Sequence, residues 1–528
     1  MNPIHTALLA SLLVAAELAG QEPPVVLRQD ISQHGITWTF SEPHQVGQFI
    51  TGDWWVVGPV TITGVTPAPG EAGPGEAGIG ASSRYGATAL TGDRRMRNGS
   101  MLLLDARLAT STDAETPDPG RQQGYDSRPG NYHPALSVRF PLQLAAQRSL
   151  ISTISSTQLD QRGELATPYA CGEAGLPLCP KTLPLVLKTA AILTCLDRPP
   201  PPDSFRPAYV GSEKTLYRLD QVQWSLLPRL KAVPAVPDPE AIAELFARPW
   251  LDHCNSWFVQ YLGPGLNQPN YGREFARLTS IAGLMLLLDR PAEQQRRLMI
   301  GYLQLGIDLS GLARNGRQWF PDGGHWQGRK WPILFASLML GSPELRQLPE
   351  LRAGQTLYER VQYRPEAGDQ PATTCFQEDL GTYFGLGGDG QRALWQIGFH
   401  TGPRPPYEEK KRAQLTKDDL FSDAYLANNA GAWIGSALAA QLMGAKALWN
   451  HDAYFDFVDR WMRPEEPFAT PSWYPAGCTR SVDLFVEQMW TAHRQHVPVQ
   501  PGGTAPRRWM WTPGQRHGRF IPNPRVSP

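Results

Sequence analysis

The spacing of hydrophobic positions changes character near residue 200. Before that point apolar and polar residues alternate in short runs. Gly35-Ile-Thr-Trp-Thr-Phe40 alternates as a strand with one buried face does. Trp54-Trp-Val-Val-Gly-Pro-Val-Thr-Ile-Thr63 is rich in β-branched and aromatic residues and is interrupted by Gly58-Pro59, which predicts a strand, a bend and a second strand. Residues 150–157 and 185–196 carry the same β-branched character. Long Gly/Pro/Ser runs at 67–83 and 110–129 separate these segments and read as extended loops. Together they predict a β-sandwich-like domain over residues 22–198.

After Pro199-Pro-Pro-Pro-Asp203 the period becomes helical. Glu274-Phe-Ala-Arg-Leu-Thr-Ser-Ile-Ala-Gly-Leu-Met-Leu-Leu-Leu288 is the clearest case, and Pro291 suits the first turn of the helix that follows it. Residues 331–340, 427–443, 452–462 and 482–494 also read as helices. Successive helices on short connections predict an α/α helical toroid over 219–497, with 199–218 as a stiff linker. The chain is thus read as a multidomain α and β protein that ends in a Pro/Gly/Arg-rich tail at 498–528.

Composition narrows the partners. The chain has 528 residues, with Lys+Arg and Asp+Glu both at 49. A zero net charge argues against a dedicated nucleic-acid binder. Residues 1–21, with the short apolar run Ala7-Leu-Leu-Ala-Ser-Leu-Leu-Val-Ala-Ala16, read as a secretory signal, and so predict an exported protein. No later run approaches the ~20 apolar residues of a membrane helix. Among the six cysteines, Cys171 and Cys179 flank a loop-like segment and form the expected bridge. No metal-ligand spacing and no cofactor motif is evident. The glycine run at 385–390 lacks the Gly-Lys-Ser/Thr ending of a phosphate loop.

Candidate chemistry concentrates in Trp319-Phe-Pro-Asp-Gly-Gly-His-Trp-Gln-Gly-Arg-Lys-Trp331. Indoles mixed with hydrogen-bonding groups suit a sugar site, where apolar faces stack and hydroxyls meet polar groups. Trp319 and Trp326 are candidate platforms, His325 a general base, Asp322 its partner or an acid, and Arg329 a carboxylate fork. The same stretch also reads as a structural aromatic plug between helices. Tyr271 and Arg273 stand just before a long helix, as a proton donor and a carboxylate ligand, or as a simple helix entry. Glu378 and Asp379 are adjacent carboxylates, of which one at most would face a site. Tyr425, Asn428 and Asn429 fall on a helix, where paired amides hold a ligand or a neighbouring helix.

Asn428-Asn-Ala-Gly-Ala-Trp433 resembles the Asn-Asn-His-Gly-Thr-Trp pattern of α/α-toroid polysaccharide lyases of the alginate-lyase and heparinase-like type. Gly323-Gly-His325 before a helix adds to the resemblance, which covers about residues 250–495. It implies β-elimination on a uronic-acid polymer, with the substrate carboxylate neutralised by Asn428, Asn429 or Arg273. The chain departs from the pattern at Ala430, where those lyases carry histidine, so His325 becomes the candidate base and Tyr271 or Tyr425 the acid. A glycoside hydrolase using Asp322 with Glu378 or Asp379, and a non-catalytic exported glycan-binding protein, are the alternatives. The partner in every reading is a polysaccharide or oligosaccharide.

Overall fold

The computed structural model describes residues 25–71, 96–103, 117–120, 122–156, 186–254, 262–269, 271–319, 323–347, 376–384, 392–395, 408, 417–463 and 469–497. The expected leader, the basic tail, the expected Cys171/Cys179 bridge and Asp322 lie outside the described residues.

The first half forms strands β1 (Leu27–Gln33), β2 (Ile36–Gln48), β3 (Trp54–Val57), β4 (Val60–Thr66), β5 (Gly70–Glu71), β6 (Met96–Arg97), β7 (Ser100–Leu102), β8 (Leu142–Leu144), β9 (Arg148–Ser155) and β10 (Leu187–Leu196). The main sheet runs β7-β9-β10-β3-β2-β4-β8, with β1 also on β2. β10 and β3 are parallel, whereas the neighbouring pairs are antiparallel. Short β5 and β6 make a separate ribbon.

Among the described residues the main sheet is a single one curled into a half-barrel, where the strand pattern predicts a sandwich of two stacked sheets, and β2 is its bend. Thr37–Phe40 of β2 pairs with β4 across a bulge, while Val46, Gly47 and Gln48 pair with β3. Bulges bend a strand and raise its twist, and so curl the sheet. The curl brings Trp38 of β2 opposite β9, where its indole N–H donates to Ser152 Oγ at 3.0 Å. Trp38, Phe40, Val56, Ile62, Leu150, Ala191 and Leu193 fill the inside. Alternate residues of the same strands, Ile151, Ala190 and Ile192, face the helices and join their core. Burial on both faces explains why β10 carries the consecutive apolar residues Ala190–Leu193 rather than a strict alternation.

The helical half contains α1 (Pro239–Phe246), α2 (Gly272–Met285), α3 (Ala292–Arg314), α4 (Lys330–Met339), α5 (Gln377–Leu380), α6 (Lys417–Leu442), α7 (Lys446–Trp449), α8 (Asp452–Trp461) and α9 (Leu484–His493), with a small hairpin of β11 (Thr382–Phe384) and β12 (Ala393–Trp395). The mixed α and β composition matches the expectation. Every residue of α2 is buried, which makes it the central helix, packed on α6. Asp238 caps α1 and Asp483 caps α9 through side-chain acceptance of first-turn N–H groups.

The expected linker is a packed strap. Phe205, Arg206, Tyr209 and Val210 are buried, and Ile50 N–H donates to Ser204 O. Arg206 pairs with Asp53 at 2.7 Å, beside β3, and with Asp308 at 2.6 Å on α3. Sheet and helices therefore share one apolar core and one buried ion triad.

Candidate functional site

The start of α2 carries Tyr271 and Arg273, because Gly272 lets another chain segment lie directly on the helix entry. A β-carbon at Gly272 would overlap the carbonyl of His325. That contact sets the 323–328 turn against α2. Gly323 has φ of 57° and its Cα faces the Tyr425 ring of α6, where a β-carbon would not fit. The Tyr271 hydroxyl lies over Gly324. The rings of Tyr271 and His325 meet edge to face, with centroids 5.2 Å apart. Tyr271, His325, Tyr425 and Asn428 are all half-buried, so each presents part of its surface to solvent.

Arg273 sits beneath them, 5% exposed. Its Nη1 donates to Asn428 Oδ1 at 2.8 Å and its Nε to Glu274 Oε1 at 2.8 Å. The guanidinium lies 5.6 Å from the Tyr271 ring centroid and 4.9 Å from that of Trp473. Glu274 also accepts from Arg277, which reaches Asp483 at 3.3 Å. This buried ion chain fixes Arg273 from below, since an arginine shared between a carboxylate and an amide loses little rotamer freedom on meeting a ligand.

Other candidates lie inside the protein. Asn429 is 1% exposed, accepts from Gln377 and donates to the carbonyls of Gly323 and Tyr425. Trp319 and Trp326 are enclosed, at 0% and 4% exposure, and present no platform to solvent. Trp319 stacks on Phe376 and donates to Asp252 Oδ2 at 2.7 Å. Arg329 forks onto the same Asp252 and bonds the Gln327 carbonyl, so its carboxylate partner is internal. Glu378 is buried, accepts from Gly328 N–H at 2.5 Å, and is pushed up to about 7 by burial. Asp379 is held by Lys330 at 2.5 Å and by the Trp449 indole at 2.8 Å. Among the described residues of this stretch, 319 and 323–331, the mixture of indoles and charges is thus largely an internal network around Asp252 and Asp379, with His325 as its half-buried member.

Sequence reasoning missed Trp473 and Gln377. Trp473 stands in Pro471-Ser-Trp-Tyr-Pro475, an aromatic pair in a turn-rich loop, and is half-buried over Arg273. That loop composition was its available signal. Gln377 precedes two carboxylates and carries no signal of its own. A cleft of about 200 Å³ opens elsewhere, between Ile50–Asp53 and α1 and α3, but its floor charges Arg206, Asp53 and Asp308 are spent on one another. Among the described residues no group of His, Cys, Asp and Glu has the arrangement to hold a metal, and no helix is long and apolar enough to cross a membrane.

No family model, curated protein or solved structure matches the chain.

Proposed function

We propose that the chain is an exported carbohydrate-active enzyme, a polysaccharide lyase that cleaves a uronic-acid-containing glycan by β-elimination. The observation that carries this reading is the grouping of an imidazole and a phenol in ring contact above an arginine–asparagine pair. In the reaction His325 takes the C5 proton, which is acidified by the neighbouring carboxylate. The C4–O bond breaks as the C4–C5 double bond forms, and Tyr271 or Tyr425 protonates the leaving oxygen. Arg273 and Asn428 stabilise the charge that builds on the carboxylate. Trp473 supplies an aromatic face for the adjacent sugar. The helical half is taken, in the same reading, as the α/α toroid of such lyases.

The commitment of Glu378 and Asp379 to internal partners favours elimination over hydrolysis, which needs two carboxylates flanking the bond. The test is an ultraviolet scan of the full chain with a panel of uronate polymers, with His325→Ala alongside. New near-ultraviolet absorbance that falls about 10²–10⁴-fold in the variant is expected. New reducing ends without absorbance would replace the proposal with hydrolysis. Retardation in a glycan-containing gel with neither product would replace it with binding alone.

A further inference from the structure

We propose that Gln377 and Glu378 are the positioning residues of this site, a two-residue clamp that sets His325 against Tyr271. The 323–328 turn has no strand or helix ladder of its own, so its backbone groups need partners from outside. Two consecutive side chains of α5 supply three of them. Gln377 Oε1 accepts from Trp326 N–H at 2.8 Å, and its Nε2 donates to Gly323 O at 2.7 Å. Glu378 Oε1 accepts from Gly328 N–H at 2.5 Å. The turn is therefore gripped at its start, middle and end, on either side of His325. The same Gln377 amide bonds Asn429 Oδ1 at 2.6 Å, which ties the turn to the helix that bears Asn428 and Tyr425.

Both side chains are 1% exposed, and α5 is a single turn of helix. Buried polar groups are costly when unpaired. Three of the four side-chain bonds that the two residues make run to this one turn. Glu378 Oε2 has no partner, so the Gly328 N–H is the one side-chain bond that Glu378 makes. His325 is half-buried and its ring meets those of Tyr271 and Trp326, so a shift of the backbone that carries it would move both contacts.

The effect on turnover rests on the lyase reading, but the positioning does not. Hydrogen–deuterium exchange of the full chain tests it first. Glu378→Leu and Gln377→Leu should speed exchange in peptides spanning 323–328 by about tenfold, the loss of one protecting bond. Exchange in β10 should stay at the wild-type rate. Glu378→Gln keeps an acceptor for Gly328 N–H and should exchange like wild type. Should a leucine variant fail to fold, Gln377→Asn, which withdraws the amide by one methylene, is measured instead with the same expectation.

On whichever polymer the wild type cleaves, Gln377→Asn should lower kcat about tenfold with KM unchanged, and Glu378→Gln should retain it. Unchanged exchange at 323–328 in the Gln377 and Glu378→Leu variants would overturn the clamp. So would Glu378→Gln behaving as Glu378→Leu. Absence of cleavage by the wild type would remove the lyase reading and leave the exchange result to decide the clamp.

Discussion

His253 shows how much of this protein is set by single buried groups. It is 2% exposed, packs edge-on against Tyr125, and neither ring nitrogen has a hydrogen-bond partner. Burial, and then the nearby Arg317 charge, lower its pKa to about 3. The folded state therefore releases a proton that the unfolded chain holds between pH 6.5 and about 3. Stability from this group rises with pH across that window and is lost as pH falls through it, by up to about 5 kcal/mol. His253→Phe keeps the ring and removes the titration. Its urea midpoint should gain on the wild type steadily as pH is lowered from 7 to 4. Parallel curves for the two proteins would show that His253 does not oppose folding in acid. Nothing in Asp252-His-Cys254 announces this, because the burial comes from residues far along the chain. The same holds for the paired amides. Adjacent helical residues point about 100° apart. One of Asn428 and Asn429 must then face Arg273 and the other the interior, and only the packing of α6 decides which.

At the scale of elements, periodicity made several strands and helices legible. The alternation at 35–40 became β2, the Gly58-Pro59 break separates β3 from β4, and the apolar stretch after Glu274 became α2. Close approaches were not legible, because a glycine reads the same whether it faces solvent or backbone. Gly272 makes the difference measurable. In an exposed helix interior Gly→Ala stabilises by about 1 kcal/mol. Here the added methyl would overlap the His325 carbonyl, which is backbone and cannot rotate aside. Gly272→Ala should therefore destabilise by about 1–3 kcal/mol in chemical denaturation. Gly64→Ala, where a β-carbon meets nothing within 4 Å, is the control and should change stability by less than about 0.5 kcal/mol. A Gly272→Ala protein as stable as the wild type would mean that the turn does not lie on α2.

For the whole molecule, the sequence located the change from strands to helices but not the joining of the two halves. Alternation along a strand is the same in a sandwich and in a curled sheet, so pairing order is invisible without partners. The Pro-rich segment after β10 reads as a spacer by composition, yet it delivers Arg206 into the junction. Arg206 is fully buried between Asp53 of the sheet and Asp308 of α3. Burial already holds the Asp308 carboxyl above the usual carboxylate range despite the arginine. Arg206→Met would strand both carboxylates at the interface. Removing one partner from a buried ionic group costs about 3–5 kcal/mol, because the remaining charge is left uncompensated. Protonation relieves that charge, so the deficit should be largest near pH 8 and shrink towards pH 4. Because the apolar core also runs unbroken from Ile151 and Ile192 into the helices, the two halves should still unfold in one transition. Separate transitions for sheet and helices, or a deficit that does not vary with pH, would show that the ion triad and shared core do not couple them. Coupling of this kind matters for the site. The turn that carries His325 is braced through Arg329 on Asp252, and Asp252 N–H donates to Tyr209 on the same strap as Arg206. The strap therefore links the sheet to the frame on which the candidate base is mounted.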